Sequence, residues 1–452
     1  MKAEFDFIII GSGVLGCLAY DYFASQNDKA LLISESNDNF IKNKFRQTGS
    51  EIYSGLTKGT RKGLGGTSQL WGGAMNVSYE EEFIEQCSTE SINFEIEKKR
   101  VFKFFGIRNL KSQSKTKVYS SKKYDIYEED IIWPSFSKRN VFKNLKQKYK
   151  NHLNLKIGFY KKIEKIENIF RVSVRTETGK IDIYTAQKVV FCMGFFNNIS
   201  EHLQNKENYK FKEHISSKIG IISNTKNFPL SSCLLYKFNH FKTKRYEIFD
   251  NRQNKSVGFM HMSTNKSEFF IKLRELLICV QTFKFPSGKL IYDVIKLSYQ
   301  IFPIIKGFIL QGGNISSEKN KSYIHLVIDK PKPSNITKFN NNIKLDWNIS
   351  RYDLEFYNSL KDEMCQIIQI LIDKSTLPKK LLKVPETSRP VEIFHPFSNS
   401  RKKSFENSDY IWTSTSNLQQ LGSLSPTIAS HLLKIKEYEN ARKNMCNNIN
   451  KK

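Results

Sequence analysis

The sequence predicts an α/β protein, with one domain built on a doubly wound parallel sheet and a second, α+β domain built on an antiparallel sheet. Three observations lead there. Residues 5–26, "FDFIIIGSGVLGCLAYDYFASQ", give an apolar strand, three glycines and a helical pattern in direct succession. Residues 29–36, "KALLISES", supply the next strand. After a helix-like "VFKNLKQKYKNH", the stretches "NLKIGFYKKIEKI", "IFRVSVRTETG" and "KIDIYTAQKVVF" alternate as a β-meander that leads back into the sheet.

In the first element, Gly11, Gly13 and Gly16 have GxGxxG spacing between strand and helix. Gly11 allows the tight turn, Gly13 lets backbone N–H groups approach a pyrophosphate, and Gly16 lets the helix pack closely on the sheet. Glu35 closes the second strand, 19 residues beyond Gly16. A carboxylate there can accept hydrogen bonds from both ribose hydroxyls of an adenosine, and it would repel a 2′-phosphate. Tyr20 stands where a small residue would suit the helix, so looser or shifted packing on the sheet is expected. These features fit NAD and FAD alike.

"RKGLGGTSQLWGGAMN", residues 61–76, sets Gly63, Gly65, Gly66, Gly72 and Gly73 around Thr67, Ser68 and Trp71. So many glycines with interleaved hydroxyls suit a backbone lying against a flat, polar cofactor and its phosphates. "GLGGTSQLWGG" resembles the second flavin-contact motif of the glucose-methanol-choline (GMC) oxidoreductases, in the form found in bacterial members that handle carbohydrates, and "GSGVLG" is similar to that family's first motif. "QKVVFCMGFFNNISEHLQ", residues 187–204, resembles the strand and glycine turn that re-enter the flavin domain, with Gly194 as the turn residue. "IHLVIDKPKPSNITKFNNNIKLDWNISRYDLEFY" is similar to the family's substrate-domain strands and following helix. The resemblance implies an FAD-binding Rossmann-like domain and an FAD cofactor held by Gly11, Gly13, Gly16, Glu35, Gly65, Gly66, Thr67, Ser68, Trp71, Gly72, Gly194, Pro426 and Thr427.

Taken alone, the histidine of "VEIFHPFSNSR" reads as a structural ring before a proline. In the GMC family a late motif carries a histidine facing the flavin N5 with an arginine six residues on, and His395, Pro396 and Arg401 keep that spacing. Ser398-Asn399 and Lys402 depart from the family's usual filling. The last family motif is a strand, a glycine and Asn-Pro-Thr opening a long helix. "DYIWTSTSNLQQLGSLSPTIASHLLKIKEYEN" gives the strand, Gly422 and Ser425-Pro426-Thr427. Proline suits the first helical turn, and the helix amino terminus suits an anionic reduced flavin. The resemblance makes His395 the catalytic base. Ser425 can hydrogen-bond a substrate hydroxyl but has no useful pKa near neutrality, so it cannot replace the base. Glu213-His214 resembles an acidic-histidine pair near the domain crossing, where a satisfied structural histidine is expected.

Composition sets the bounds. With 39% hydrophobic and 13% aromatic residues among 452, the chain is globular and long enough for two lobes. Its formal charge of +28 comes from scattered lysines, without an arginine patch or zinc-finger spacing, so no nucleic-acid partner is expected. Seven dispersed cysteines and eight unclustered histidines predict neither a disulfide framework nor a metal site, and fit a cytoplasmic setting. The amino terminus enters a strand almost at once, so no secretory or twin-arginine leader is expected. "LIYDVIKLSYQIFPIIKGFIL", residues 290–310, reads first as a core helix ended by proline and second as a membrane-surface helix. Peripheral contact with an anionic membrane is the partner reading that this segment and the charge allow.

The expected organisation is an FAD domain from residues 1–80, 141–230 and 385–452, a lid or solvated insert at 81–140, and a substrate domain at 231–384. The resulting functional reading is an FAD-dependent dehydrogenase or oxidase acting on the CH–OH group of a small-molecule alcohol or sugar, passing electrons to an acceptor the motifs do not name. The alternative is a diverged, catalytically impaired flavoprotein serving as a binding or scaffold partner, which Ser425 and the altered "HPFSNSRK" filling favour. A pyridine-nucleotide enzyme using only the first glycine motif is a further class, and "GLGGTSQLWGG" argues against it.

Overall fold

The computed structural model describes residues 3–35, 45–48, 51–53, 55, 63–69, 73–76, 94–107, 115–202, 208–223, 234–236, 240–264, 269, 272–273, 275–276, 279, 285–300, 321–339, 342–373, 381–383, 390–392, 397–398, 410–413 and 426–449.

The strand Phe5–Ile10 lies inside a seven-stranded sheet, parallel to Ala30–Ser34 on one side and to Ile181–Phe191 on the other. Leu155–Ile157 continues the parallel run beyond Ala30–Ser34, and Tyr410–Trp412 pairs in parallel with the end of Ile181–Phe191. The chain therefore winds outward in one direction first and returns on the other side of its first strand. A doubly wound sheet of this kind places its ligand crevice at the carboxyl ends of the strands where the order reverses. Both faces of Phe5–Ile10 and Ala30–Ser34 are buried, which is why they read as near-continuous apolar runs. Phe7, Ile9, Leu32 and Val190 face the helices Val14–Ser25 and Pro426–Ile449, whereas Ile8, Ile10, Leu31 and Ile33 face Phe170, Val172 and Val174 of the meander. Arg442 clamps the two helices' ends by donating to Asp28 at 2.6 Å.

The second architecture is a ten-stranded sheet whose main path runs Leu381–Lys383, His214–Ser223, Lys321–Asp329, Lys255–Thr264, His240–Asp250, Tyr124–Pro134 and Met75–Asn76, all antiparallel. Its apolar face, including Ile126, Ile248, Met260, Leu326 and Ile328, packs in one core with Leu360, Met364 and Ile368 of the helix Arg351–Asp373. The Tyr357 hydroxyl accepts from the Ser217 N–H at 2.9 Å and donates to the Leu326 carbonyl at 3.1 Å, tying helix to sheet. A five-stranded sheet of Phe397–Ser398, Asn208–Lys212, Ser334–Phe339, Asn342–Asp346 and Phe45–Gln47 stands beside it.

Several expectations are corrected. Residues 115–134, read as part of a lid or solvated loop, form the strands Thr116–Ser120 and Tyr124–Pro134, the second paired along its whole length with His240–Asp250. Residues 208–223, assigned to the flavin domain, form strands of the other two sheets. Tyr20 does not loosen the first helix. It is buried, accepts from the Asn154 N–H at 3.0 Å and donates to the His152 carbonyl at 3.3 Å, while Gly16 one turn earlier keeps its close approach to the Gly11 carbonyl. The core-helix reading of residues 290–310 fails over its first part, because Gly288–Lys296 forms a helix with no buried residue; residues 301–310 lie outside the described residues. Among the described residues no helix is long and apolar enough to cross a membrane.

Candidate active site

Three glycine turns meet at the crevice where the strand order reverses. Gly11, at φ +105°, turns the chain out of the first strand, and a Cβ there would stand 2.4 Å from the Cys192 carbonyl oxygen. A Cβ on Gly16 would fall 1.7 Å from the Gly11 carbonyl oxygen, so the helix touches the turn backbone to backbone. Gly13 differs from both, because a Cβ there meets nothing within 4 Å. It is the N-cap of the helix Val14–Ser25 and offers no side-chain acceptor, which leaves the first-turn N–H groups for an anion from outside. Gly194, at φ +84°, closes the second turn after Ile181–Phe191, and its outward side is likewise open.

The glycine loop is fastened to this turn by Ser12. The Ser12 and Ser34 hydroxyl oxygens lie 2.5 Å apart, and Ser12 Oγ also lies 3.3 Å from the Gly63 carbonyl oxygen. The Ser12 carbonyl accepts from the Gly65 N–H at 3.1 Å. Gly63, Gly65 and Gly66 have φ of +91°, +88° and +50°, a left-handed run that side chains would resist. Ser68 is buried and donates to the Gly65 carbonyl at 2.6 Å, while Thr67 is exposed. A Cβ on Gly65 would approach Asn140 Oδ1 to 3.0 Å, and Asn140 caps the helix Val141–Tyr149 by accepting from the Lys143 N–H. Glu35 follows the second strand, half-buried, with its carbonyl within 3.2 Å of Ser34 Oγ. Ser12 is thus the residue that sequence reasoning missed. It occupies a variable position of the motif, and its only signal is a hydroxyl between two glycines.

His395, Ser425, Trp71, Gly72, Arg401 and Gly422 lie outside the described residues. Pro426 and Thr427 open the helix Pro426–Ile449. The flanks of His395 are placed, since Val391–Glu392 pairs with Ile215 and Ser216, and Phe397–Ser398 pairs with Phe211 and Lys212. Both flanks therefore lie beside Glu213 and His214. Glu213 is fully buried, accepts from the Tyr53 hydroxyl at 2.5 Å, and its carbonyl accepts from the Lys330 N–H at 2.9 Å. His214 Nε2 lies 2.8 Å from Asp329 Oδ1.

The ten-stranded sheet turns a polar row away from its apolar face. Register sets Glu129, Arg245, His261, His325 and Lys218 side by side on five successive strands. Arg245 lies over the Phe259 ring at 3.8 Å, and the His261 and His325 rings stack at 5.0 Å. Burial, then the neighbouring His325 and Arg245, pushes the His261 pKa down to about 3, so its ring is neutral at neutral pH. Burial lowers Arg245 to about 10, against the pull of Glu129 and Glu247, and leaves it charged. Burial and Glu247 push the Glu129 carboxyl up. The row is continuous with the glycine loop, because Asn76, the last residue of that stretch, donates to Glu129 at 3.0 Å.

No family model matches the chain, and no curated protein does. Among solved structures, it is similar to a fungal aryl-alcohol oxidase at 9% identity and a TM-score of 0.49, covering 99% of this chain and 100% of that one. A flavoprotein/dehydrogenase from Cytophaga hutchinsonii aligns at 8% identity and a TM-score of 0.35, over 95% of this chain and 75% of that one. A polycyclic ketone monooxygenase from the thermophilic fungus Thermothelomyces thermophila aligns at 13% identity and a TM-score of 0.22, over 42% and 23%. The fold class rests on the topology described above: an α/β chain with a doubly wound dinucleotide-binding type of sheet and a separate antiparallel sheet.

Proposed function

We propose that the chain is an FAD-dependent oxidoreductase that oxidises the CH–OH group of an alcohol or sugar, with His395 as the base. The observation that carries this reading is the convergence of the turns at Gly11–Gly16, Gly63–Ser68 and Gly194 on one crevice, fastened by Ser12. A turn at the first strand alone would serve any dinucleotide. The second and third turns supply the extra backbone surface that a flavin needs.

The residues fit the cofactor. Gly13 and the uncapped first-turn N–H groups would hold the pyrophosphate, Glu35 the ribose, and Gly65, Gly66, Thr67 and Ser68 the flavin ring, with Trp71, Gly72, Gly194, Pro426 and Thr427 completing the contact. Bound flavin supplies a hydride acceptor. His395 would take the alcohol proton as the carbon-bound hydrogen departs. Ser425 would orient the substrate hydroxyl without changing its own protonation. The polar row of Arg245, His261 and His325 supports a substrate rich in hydroxyl groups, such as a sugar, because it presents hydrogen-bonding groups where the opposite face presents only a core.

The visible absorption spectrum of the purified protein, followed by anaerobic addition of alcohols and sugars, tests the reading. Flavin bands that one of these compounds bleaches are expected. A colourless protein that cannot be reconstituted with FAD would overturn it.

A further inference from the structure

We propose that the helix Gly288–Lys296 and its flanks form a docking surface for an anionic lipid bilayer. Exposed apolar side chains are ordinary when scattered. Here they are gathered: among the described residues, five of the twelve exposed large hydrophobics fall between residues 285 and 299. Phe285 is 100% exposed, Tyr292 63%, Ile295 66% and Tyr299 64%, and Ile291 is also in water.

The periodicity gives the cluster its meaning. Leu290, Val294 and Leu297, spaced by four and three, form the stripe that is partly covered by the protein. Ile291 and Ile295 follow at i and i+4 with Tyr292 beside them, a second apolar stripe on the outward side, and the exposed Tyr299 lies in the short turn Ser298–Gln300 that follows. A helix that only covered a core would carry polar residues there. Ser287 accepts from the Leu290 N–H at 3.2 Å, so the helix is capped and needs no partner to begin. Lys289 and Lys296 are exposed on one flank of the outward stripe, where long side chains can reach lipid phosphates while the apolar groups enter the acyl boundary. Tyrosines belong at that depth, with the ring in the apolar layer and the hydroxyl in the headgroups.

Charge decides the occupant. Between residues 284 and 306 the sequence has Lys284, Lys289, Lys296 and Lys306 against the single acid Asp293, and the whole chain is at +28. A surface that is apolar and cationic at once matches anionic lipid, whereas a second copy of so basic a chain would bring like charges together.

The test needs neither flavin nor activity, so its failure is separate from failure of the oxidoreductase reading. Full-length protein is floated with vesicles of phosphatidylcholine, with and without phosphatidylglycerol, at low and high salt. Wild type should float with the anionic vesicles at low salt and be released by salt. Tyr292→Glu with Ile295→Glu should weaken binding by about tenfold or more. Lys289→Gln and Lys296→Gln should each weaken it by about fivefold. Unchanged circular dichroism verifies the fold of these surface variants. Wild type that stays behind at low salt overturns the proposal, as does a Glu variant that floats like wild type. A wild-type dimer that the Glu variant converts to monomer would assign the face to a second copy instead.

Discussion

Alanine at Gly13 and alanine at Gly16 are the same chemical change three residues apart, and the structure gives them opposite consequences. At Gly16 the new methyl group would lie 1.7 Å from the Gly11 carbonyl oxygen, a backbone atom fixed by the tight turn. Relief requires moving the helix off the sheet, and overpacking of this kind costs about 1–3 kcal/mol or more. At Gly13 the methyl group meets no protein atom within 4 Å, and φ is −67°. Two small terms then oppose each other: about 0.4–1 kcal/mol gained from a stiffer unfolded chain, and a loss of about the same size because alanine is a poor N-cap. Gly13→Ala should therefore unfold in urea within about 1 kcal/mol of wild type. Its flavin content should nonetheless fall, by about tenfold in affinity for each 1.4 kcal/mol of lost phosphate contact. Denaturant melts of apoprotein and flavin titration separate the two effects. Full flavin affinity in Gly13→Ala would refute the placement of the pyrophosphate, and wild-type stability in Gly16→Ala would refute the helix contact.

Other outcomes follow from the same geometry. His395→Ala should keep its flavin and lose about 10²–10⁴ in turnover, measured by anaerobic flavin reduction; normal turnover would remove it as the base. Ser12→Ala, which cuts the contacts to Ser34 and Gly63, should lower stability by about 1–2 kcal/mol in denaturant melts and weaken flavin retention. Tyr20→Phe should cost about 1 kcal/mol by freeing the Asn154 N–H, with flavin affinity unchanged. His261 has a folded pKa lowered to about 3, so the unfolded chain binds its proton first as acid is added. Its contribution is full above about pH 6.5 and is lost as pH falls from there towards about 3. His261→Gln should flatten the stability profile in that window, and an unchanged slope would contradict the burial of the ring.

The parts legible in the sequence are those whose requirement is local. Gly11 and Gly16 announce a turn because a side chain at either would collide with backbone, and the apolar runs at Phe5–Ile10 and Ala30–Ser34 mark strands buried on both faces. The strand Tyr124–Pro134 was hidden because Glu128 and Asp130 meet Lys244, so salt bridges occupy positions where apolar residues would have revealed the pattern. The row of Glu129, Arg245, His261, His325 and Lys218 could not be read at all, because its members come together only through register between distant segments. Ser12 is a third kind of case. Its side-chain contacts reach one neighbouring strand and one loop some 50 residues on, and neither constrains its identity in the motif.

The clamp between Arg442 and Asp28 joins residues 414 positions apart, and Tyr410–Trp412 completes a sheet begun by Phe5–Ile10. On a ribosome adding about 5–20 residues per second, Phe5–Ile10 would wait on the order of half a minute for the segment that supplies Tyr410–Trp412 and the covering helix Pro426–Ile449. During that interval Phe7, Ile9, Leu32 and Val190, which face the helix Pro426–Ile449, have no complete cover, and such exposed apolar surface favours aggregation. Synthesis of this chain should accordingly depend on holding chaperones and improve when translation is followed by slow, cool maturation, with cofactor entering only once the tail has docked.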